Sequence, residues 1–265
     1  MQQHSNAYII GFAATVCLVC SIFVSSAAVA LRPRQVLNKE LDRQKQVLTV
    51  AGLIETGQAV EPDEVERLFG ESIVARAIEL STGAYDESVD PTTFDQRRAS
   101  KDPAMSTQAG PNDAGVRRLP NKAVVYQKVV ADEVEMVILP IEGKGLWSTL
   151  YGFIALAPDG STIEGITFYE HGETPGLGGE VENPSWKALW PGRQAFGATG
   201  EVAIEVIKGH AGPPAEDPYR VDGLSGATIT ARGVSHLVRF WLSESGFGPY
   251  LDRYRSESSE SGGEA

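Results

Sequence analysis

Asp222-Gly223-Leu224-Ser225-Gly226-Ala227-Thr228-Ile229-Thr230 runs straight into an apolar series at Val234, Leu237, Val238, Trp241 and Leu242. Steps of three and four residues predict an amphipathic helix with one stripe turned to a core. The nonapeptide holds two glycines, one acid and three hydroxyls, so it reads as a loop opening that helix. Thr228 or Thr230 is placed to cap it, with a side-chain oxygen on a free backbone N–H. A helix start also favours a bound anion, because unpaired amides and the positive end of the dipole point outward. Composition alone supports nothing beyond a capped helix after a glycine turn.

Upstream of this stretch the pattern is β. Val124-Val125-Tyr126 and Met136-Val137-Ile138-Leu139 are short apolar runs, the second ending at Pro140, and Gly145 to Leu156 continues as strand. Pro158-Asp159-Gly160 signals a turn, and Thr162 to Tyr169 returns as the second arm of a hairpin. His171 to Gly179 is a second glycine-rich loop. A short helix follows Asn183-Pro184 and stops at Pro191-Gly192, and Val202 to Lys208 alternates as a further strand. The expected fold class is α+β: a single N-terminal transmembrane helix, then a globular domain over 121–252 with a mixed β-sheet flanked by helices. The Ser/Glu/Gly-rich residues 253–265 are expected to be a disordered tail.

Tyr8 to Leu31 contains no charged residue and is long enough to cross a bilayer, so 8–31 is read as a retained anchor. The competing reading is a cleaved signal peptide ending at Ala28-Val29-Ala30, but no Lys or Arg precedes the apolar run. Arg32, Arg34 and Lys39 follow it, and the positive-inside rule taken alone puts the main domain in the cytoplasm. Residues 32–120 read as a helical connecting region. It has one helix from Val36 to Leu53, broken at Gly52 and Gly57, another from Pro62-Asp63-Glu64, and an exposed polar loop over Thr93 to Asn121.

The chain of 265 residues is acidic, with net charge -12, which argues against nucleic acid as a partner. Both cysteines, Cys17 and Cys20, lie in the apolar run, leaving no thiolate ligands downstream. His210 and His236 lack a ligand-spaced partner, so no metal is expected. No Ser-His-Asp set, Walker loop or GxGxxG is present, so neither a catalytic residue nor direct NADH binding is expected.

Asp222-x-x-Ser225-Gly226-Ala227-Thr228 resembles the flavinylation motif of membrane redox subunits that carry FMN on a threonine through a phosphoester. The resemblance implies that Thr228 is the attachment point, with Asp222, Ser225, Gly226 and Ala227 around it. Glu173-Thr174-Pro175-Gly176-Leu177-Gly178 resembles the loop that packs over the isoalloxazine in the same family, which places Glu173, Thr174, Leu177 and Gly178 at the cofactor. Glu180-Val181-Glu182-Asn183-Pro184-x-Trp186, Leu189-Trp190-Pro191-Gly192 and Gly145-Leu146-Trp147-Ser148 resemble one branch, the C subunits of the bacterial sodium-pumping NADH:quinone reductase. Trp147 and Ser148 thereby join the implied cofactor set.

The resemblance runs from the anchor to about Tyr250 and is strongest from Gly143. The sibling branch, the G subunits of the ferredoxin-linked ion-pumping complex, shares both flavin motifs but less of Glu180 to Gly192. A free-standing membrane-anchored flavin module is a third reading. The family implies covalent FMN, electrons passed toward another flavin and finally ubiquinone, and sodium export driven by that transfer. Its implied partners are the other subunits and a flavin transferase. It also implies the bacterial inner membrane, with the FMN domain on the periplasmic face, against the charge rule. Lys208, ending a strand, is a candidate for the flavin N1 or phosphate, against an ordinary solvated lysine. His171 is read as a loop histidine rather than a proton relay.

Overall fold

The structure is a computed structural model describing residues 5–55 and 57–261; the expected tail residues 262–265 lie outside them. The chain divides into two units, 1–44 and 45–265. The first is formed by α1 (Asn6–Val50), whose residues from Tyr8 to Leu31 are exposed. The helix is long and apolar enough to cross a membrane. No break separates the anchor from the helix expected at Val36. Pro33 lies inside α1, where it removes a single helical donor and the pattern resumes.

In the second unit, Val47, Leu48 and Val50 are buried, and Gly52 ends the helix at φ 71 with the Leu53 N–H returning to the Leu48 carbonyl. α2 (Pro62–Ser72) starts with proline and has Asp63 and Glu64 in its first turn, as the dipole prefers. It passes directly into β1 (Ile73–Glu79). The region 32–120, expected to be a helical connector, therefore supplies the edge strand of the sheet. Ile73, Ala77 and Ile78 are its buried residues.

The polar stretch read as one loop also carries structure. α3 (Gln96–Ala99) is capped by Asp95, which accepts the Arg98 N–H at 2.9 Å, and β2 (Ser106–Gln108) pairs with β3 (Arg118–Pro120).

β4 (Lys122–Val130), β5 (Glu133–Lys144), β6 (Thr149–Leu156) and β7 (Ile163–Glu170) complete a five-stranded sheet ordered β1-β4-β5-β6-β7. A mixed sheet is expected from the sequence; this one is antiparallel throughout. β4 to β7 return through short turns, which can join only antiparallel neighbours. Among the described residues parallel pairing is confined to β8 (Glu205–Val206) with β9 (Arg220–Val221), and β8 is a remnant of the longer strand expected over Val202 to Lys208.

Gly145 to Ser148, expected to be strand, is the β5–β6 turn, closed by the Gly145 N–H on the Ser148 carbonyl at 2.8 Å. β5 passes through Pro140 instead of ending there. Its pairing with β4 stops at Ile138, and from Leu139 onward its strand partner is β6, so a residue lacking an N–H is tolerated.

Alternation along β5 feeds two cores. Val137, Leu139 and Ile141 face the cluster beneath α5 (Thr228–Leu242), with Leu237, Val238 and Trp241; Ile138 faces the end of α1 with Tyr126 and Phe153. A short 3-10 turn, Gly178–Glu182, leads to α4 (Pro184–Lys187), capped by Asn183 on the Ser185 N–H at 2.9 Å.

Residues from 253, expected to be disordered, continue α6 (Gly248–Ser261). Tyr250 and Leu251 are buried and anchor its first turn, and Tyr250 Oη takes a hydrogen bond from Gln127 at 3.2 Å. The helix propagates from that anchored turn into the polar residues.

Candidate functional site

The head of α5 differs from the expected cap. Ala227 holds the N-cap position with no side-chain cap, and neither Thr228 nor Thr230 caps the helix. Thr228 is its first residue, exposed, and among the described residues its hydroxyl has no hydrogen-bond partner. Thr230 is fully buried and donates its hydroxyl to Glu173 Oε2 at 2.6 Å.

Glu173 also accepts the N–H groups of Trp147 at 2.9 Å and of Leu146 and Ser148 at 3.3 Å. Burial pushes its carboxyl pKa up, but the hydrogen bonds from Thr230 and the three amides outweigh that and hold it below the ordinary value. The carboxylate thus ties together the β5–β6 turn, the glycine loop and the first turn of α5. Ser148 braces the same loop, its hydroxyl accepting the Gly172 N–H at 2.6 Å. A Cβ at Gly178 would sit 2.6 Å from Thr230 Oγ1, so only glycine lets the loop approach α5 this closely.

His171 Nδ1 accepts the Glu173 N–H at 3.2 Å, while Nε2 lies 3.0 Å from Glu182 Oε1. Glu173, Ser148 and Gly178, implied at the cofactor, therefore form a bracing layer. Thr174 is exposed, and its carbonyl accepts the N–H groups of Leu177 and Gly179.

Above that layer the two glycine loops touch. Gly226 has φ 72, and a Cβ there would lie 2.9 Å from Leu177 Cδ2. Leu177 and Trp147 are both exposed. Beside them opens a cleft of about 590 Å³ whose walls include Lys208, Ser225, Gly226, Thr228, Arg232 and His236.

Asp222 shapes one wall of the cleft without lining it. One carboxylate oxygen accepts the Ala211 N–H at 2.8 Å, the other lies 2.7 Å from His210 Nδ1, and the Asp222 carbonyl accepts the Trp186 indole N–H at 2.9 Å. Burial raises its pKa, and the bonds from His210 and Ala211 lower it by more. A Cβ at Gly223 would collide with the Ile207 carbonyl, which fixes the wall's close approach. The Ser235 hydroxyl accepts the Val206 N–H at 2.8 Å and joins α5 to β8.

The structure thus brings Thr228, Ser225, Gly226 and Lys208 to one cleft and places Asp222 and Ala227 in its frame. Sequence reasoning missed Arg232 and Arg239 and gave His236 no role here. All three line the cleft on α5, at four, eight and eleven residues from Thr228, and that helical spacing is the signal that points to them. Arg239 is paired to Glu205 at 2.9 Å. Among the described residues no cluster of three or more His, Cys, Asp or Glu fits a metal. A cleft of this size suits a ligand as large as a mononucleotide. An exposed hydroxyl at a helix start, beside Arg232 and Lys208, which have no hydrogen-bonded or ion-paired partner among the described residues, suits a bound anion.

Comparison with known proteins agrees with this chemistry. Residues 145–243 match the family model described as FMN-binding domain, a span holding the β5–β6 turn, both glycine loops, the cleft and α5. The C subunit of the Na(+)-translocating NADH-quinone reductase of Pseudomonas aeruginosa is 44% identical over 256 residues, covering 96% of this chain and 97% of that one. The corresponding C subunit of Vibrio anguillarum is 49% identical over 240 residues, covering 90% and 91%. Among solved structures, Shewanella oneidensis NqrC superposes with a TM-score of 0.76 at 35% identity, covering 83% of this chain and 99% of that one. The C subunit of the Parabacteroides distasonis enzyme gives 0.64 at 27% identity, covering 83% and 96%.

Proposed function

Since the chain belongs to the family of C subunits of the Na(+)-translocating NADH-quinone reductases, we propose that it is the electron-carrying C subunit of such a complex and holds FMN in phosphoester linkage to Thr228. Electrons pass through it toward ubiquinone, and that transfer is coupled to sodium export. The observation that carries the reading is the exposed Thr228 hydroxyl at the head of α5, opening on the cleft of about 590 Å³. Bound FMN supplies the redox-active ring; the chain supplies placement and charge.

The phosphodiester keeps one negative charge, which the free amides of the first turn of α5 and its dipole favour. Lys208 and Arg232 add positive charge at the cleft wall. The Glu173 layer holds the β5–β6 turn and glycine loop against α5, so that Leu177 meets the Ser-Gly-Ala-Thr loop. Among the described residues the Thr228 hydroxyl has no hydrogen-bonded base, which accords with loading by a separate flavin transferase. The partners are the other subunits of the complex. α1 anchors the chain once in the bacterial inner membrane, with the FMN domain on the periplasmic side. Identity of 44–49% across nearly the whole of both chains favours this branch over the ferredoxin-linked one and over a free-standing module.

Mass spectrometry of the chain co-expressed with the transferase is expected to find FMN on Thr228. Thr228→Val should fold and lose flavin fluorescence on a denaturing gel, while Ser225→Ala and Thr230→Val keep it. Fluorescence retained by Thr228→Val and lost by Thr230→Val would move the attachment by two residues. Retention by all three variants would end the threonine-linked reading.

A further inference from the structure

The cations around the cleft fall into two groups. Arg239 is held by Glu205 at 2.9 Å. Arg232 and Lys208 line the same cleft and, among the described residues, have no hydrogen-bonded or ion-paired partner. Arg232 is exposed and stands four residues after Thr228 on α5. That spacing puts the two Cβ atoms about 5–6 Å apart on one helix face. Helical Cα–Cβ bonds tilt toward the N-terminus, so a long side chain at 232 leans back over the turn that carries Thr228. Lys208 reaches the cleft from the loop after β8.

We propose that Arg232 is the counter-ion of the phosphodiester on Thr228, a positioning residue that fixes the start of the flavin's tether beside the cleft. The inference rests on the reading that Thr228 carries FMN. A guanidinium presents paired N–H donors in a planar fork that matches two phosphate oxygens. The first-turn amides of α5 meet the same group along the helix axis, and Arg232 meets it from the side. Gripped from two directions, the phosphate holds the ribityl chain to a narrow range of departure angles, and the ring is aimed by the protein instead of swinging from one ester oxygen. Arg239 cannot take this role, since Glu205 already engages it three turns along the helix.

The test uses the full-length chain co-expressed with its flavin transferase: the parent, Arg232→Gln, Arg232→Lys and the control Arg67→Gln. Mass spectrometry first locates the adduct. A parent chain with no flavin on Thr228 overturns the functional reading, and this inference falls with it. With the adduct in place, ³¹P NMR reads the phosphodiester directly, independent of any turnover. In Arg232→Gln the resonance should move toward its position in the urea-unfolded chain, and the flavin fluorescence anisotropy should drop. Arg232→Lys should recover part of both changes, and Arg67→Gln, on α2 and outside the cleft lining, should match the parent. A folded Arg232→Gln chain that takes up no flavin, while Arg232→Lys does, supports the same role for the incoming phosphate. A loaded Arg232→Gln chain whose resonance and anisotropy coincide with the parent's overturns the proposal.

Discussion

Glu173 accepts hydrogen bonds from Trp147, 26 residues before it, and from Thr230, 57 residues after it. Such a carboxylate is stable only while it is ionised and fully bonded. Its pKa lies below the ordinary 4.5. The sign follows: its contribution to stability is complete above the unfolded value and is lost as pH falls through the lower folded value. The urea midpoint of the parent chain should therefore fall as the pH drops below about 4.5, the ordinary glutamate value, and that of Glu173→Gln less so. Parallel pH profiles would mean that the fold does not lower the carboxyl's pKa, against a bonded, ionised state. Thr230→Val removes one bond to a charged acceptor and should lower stability by about 1.5–3 kcal/mol while leaving the flavin attached. None of this was legible in the sequence. The glutamate stands in a motif that draws attention to the cofactor, and its real partners are far away along the chain.

α5 was legible because Val234, Leu237, Val238, Trp241 and Leu242 repeat at helical spacing, and all five are buried. The same spacing carries Thr228, Arg232 and His236 to the cleft, though only the cleft shows that this face matters. β1 was not legible. α2 ends at Ser72 and the strand begins at Ile73, so no turn residue separates them, and two alanines blur the alternation. α6 was hidden because its apolar anchors, Tyr250 and Leu251, precede a Ser/Glu-rich run. At the scale of elements, α5 is fastened to the sheet by Trp241, which is fully buried and donates its indole N–H to the Glu142 carbonyl at 2.6 Å. Trp241→Ala should lower the unfolding free energy by about 3–5 kcal/mol, from lost burial and a cavity the sheet cannot fill. Urea titration checks it, and a loss under about 1 kcal/mol would mean that α5 is held chiefly elsewhere.

For the whole molecule, the flanking charges and the proposed function bear in opposite directions on the side of the membrane that the second unit occupies. Tyr8 to Leu31 is followed by Arg32, Arg34 and Lys39, with no Lys or Arg before it, and these charges favour a cytoplasmic domain. Against them stands the functional reading, which needs the flavin on the periplasmic face. The charge rule is an average over short flanking segments, and large domains cross largely regardless of their charge. On the proposed function the translocation of the large domain would override the three flanking cations. The site of a reporter fusion follows from the fold. Joining it after Gly248 would delete α6 and expose the surface that Tyr250 and Leu251 cover, so the reporter belongs after Ala265. Alkaline phosphatase fused there should be active in intact cells, and green fluorescent protein at the same point should be dark. The reverse pattern would place the domain where Arg32 and Arg34 point, and periplasmic loading of Thr228 would then be ruled out.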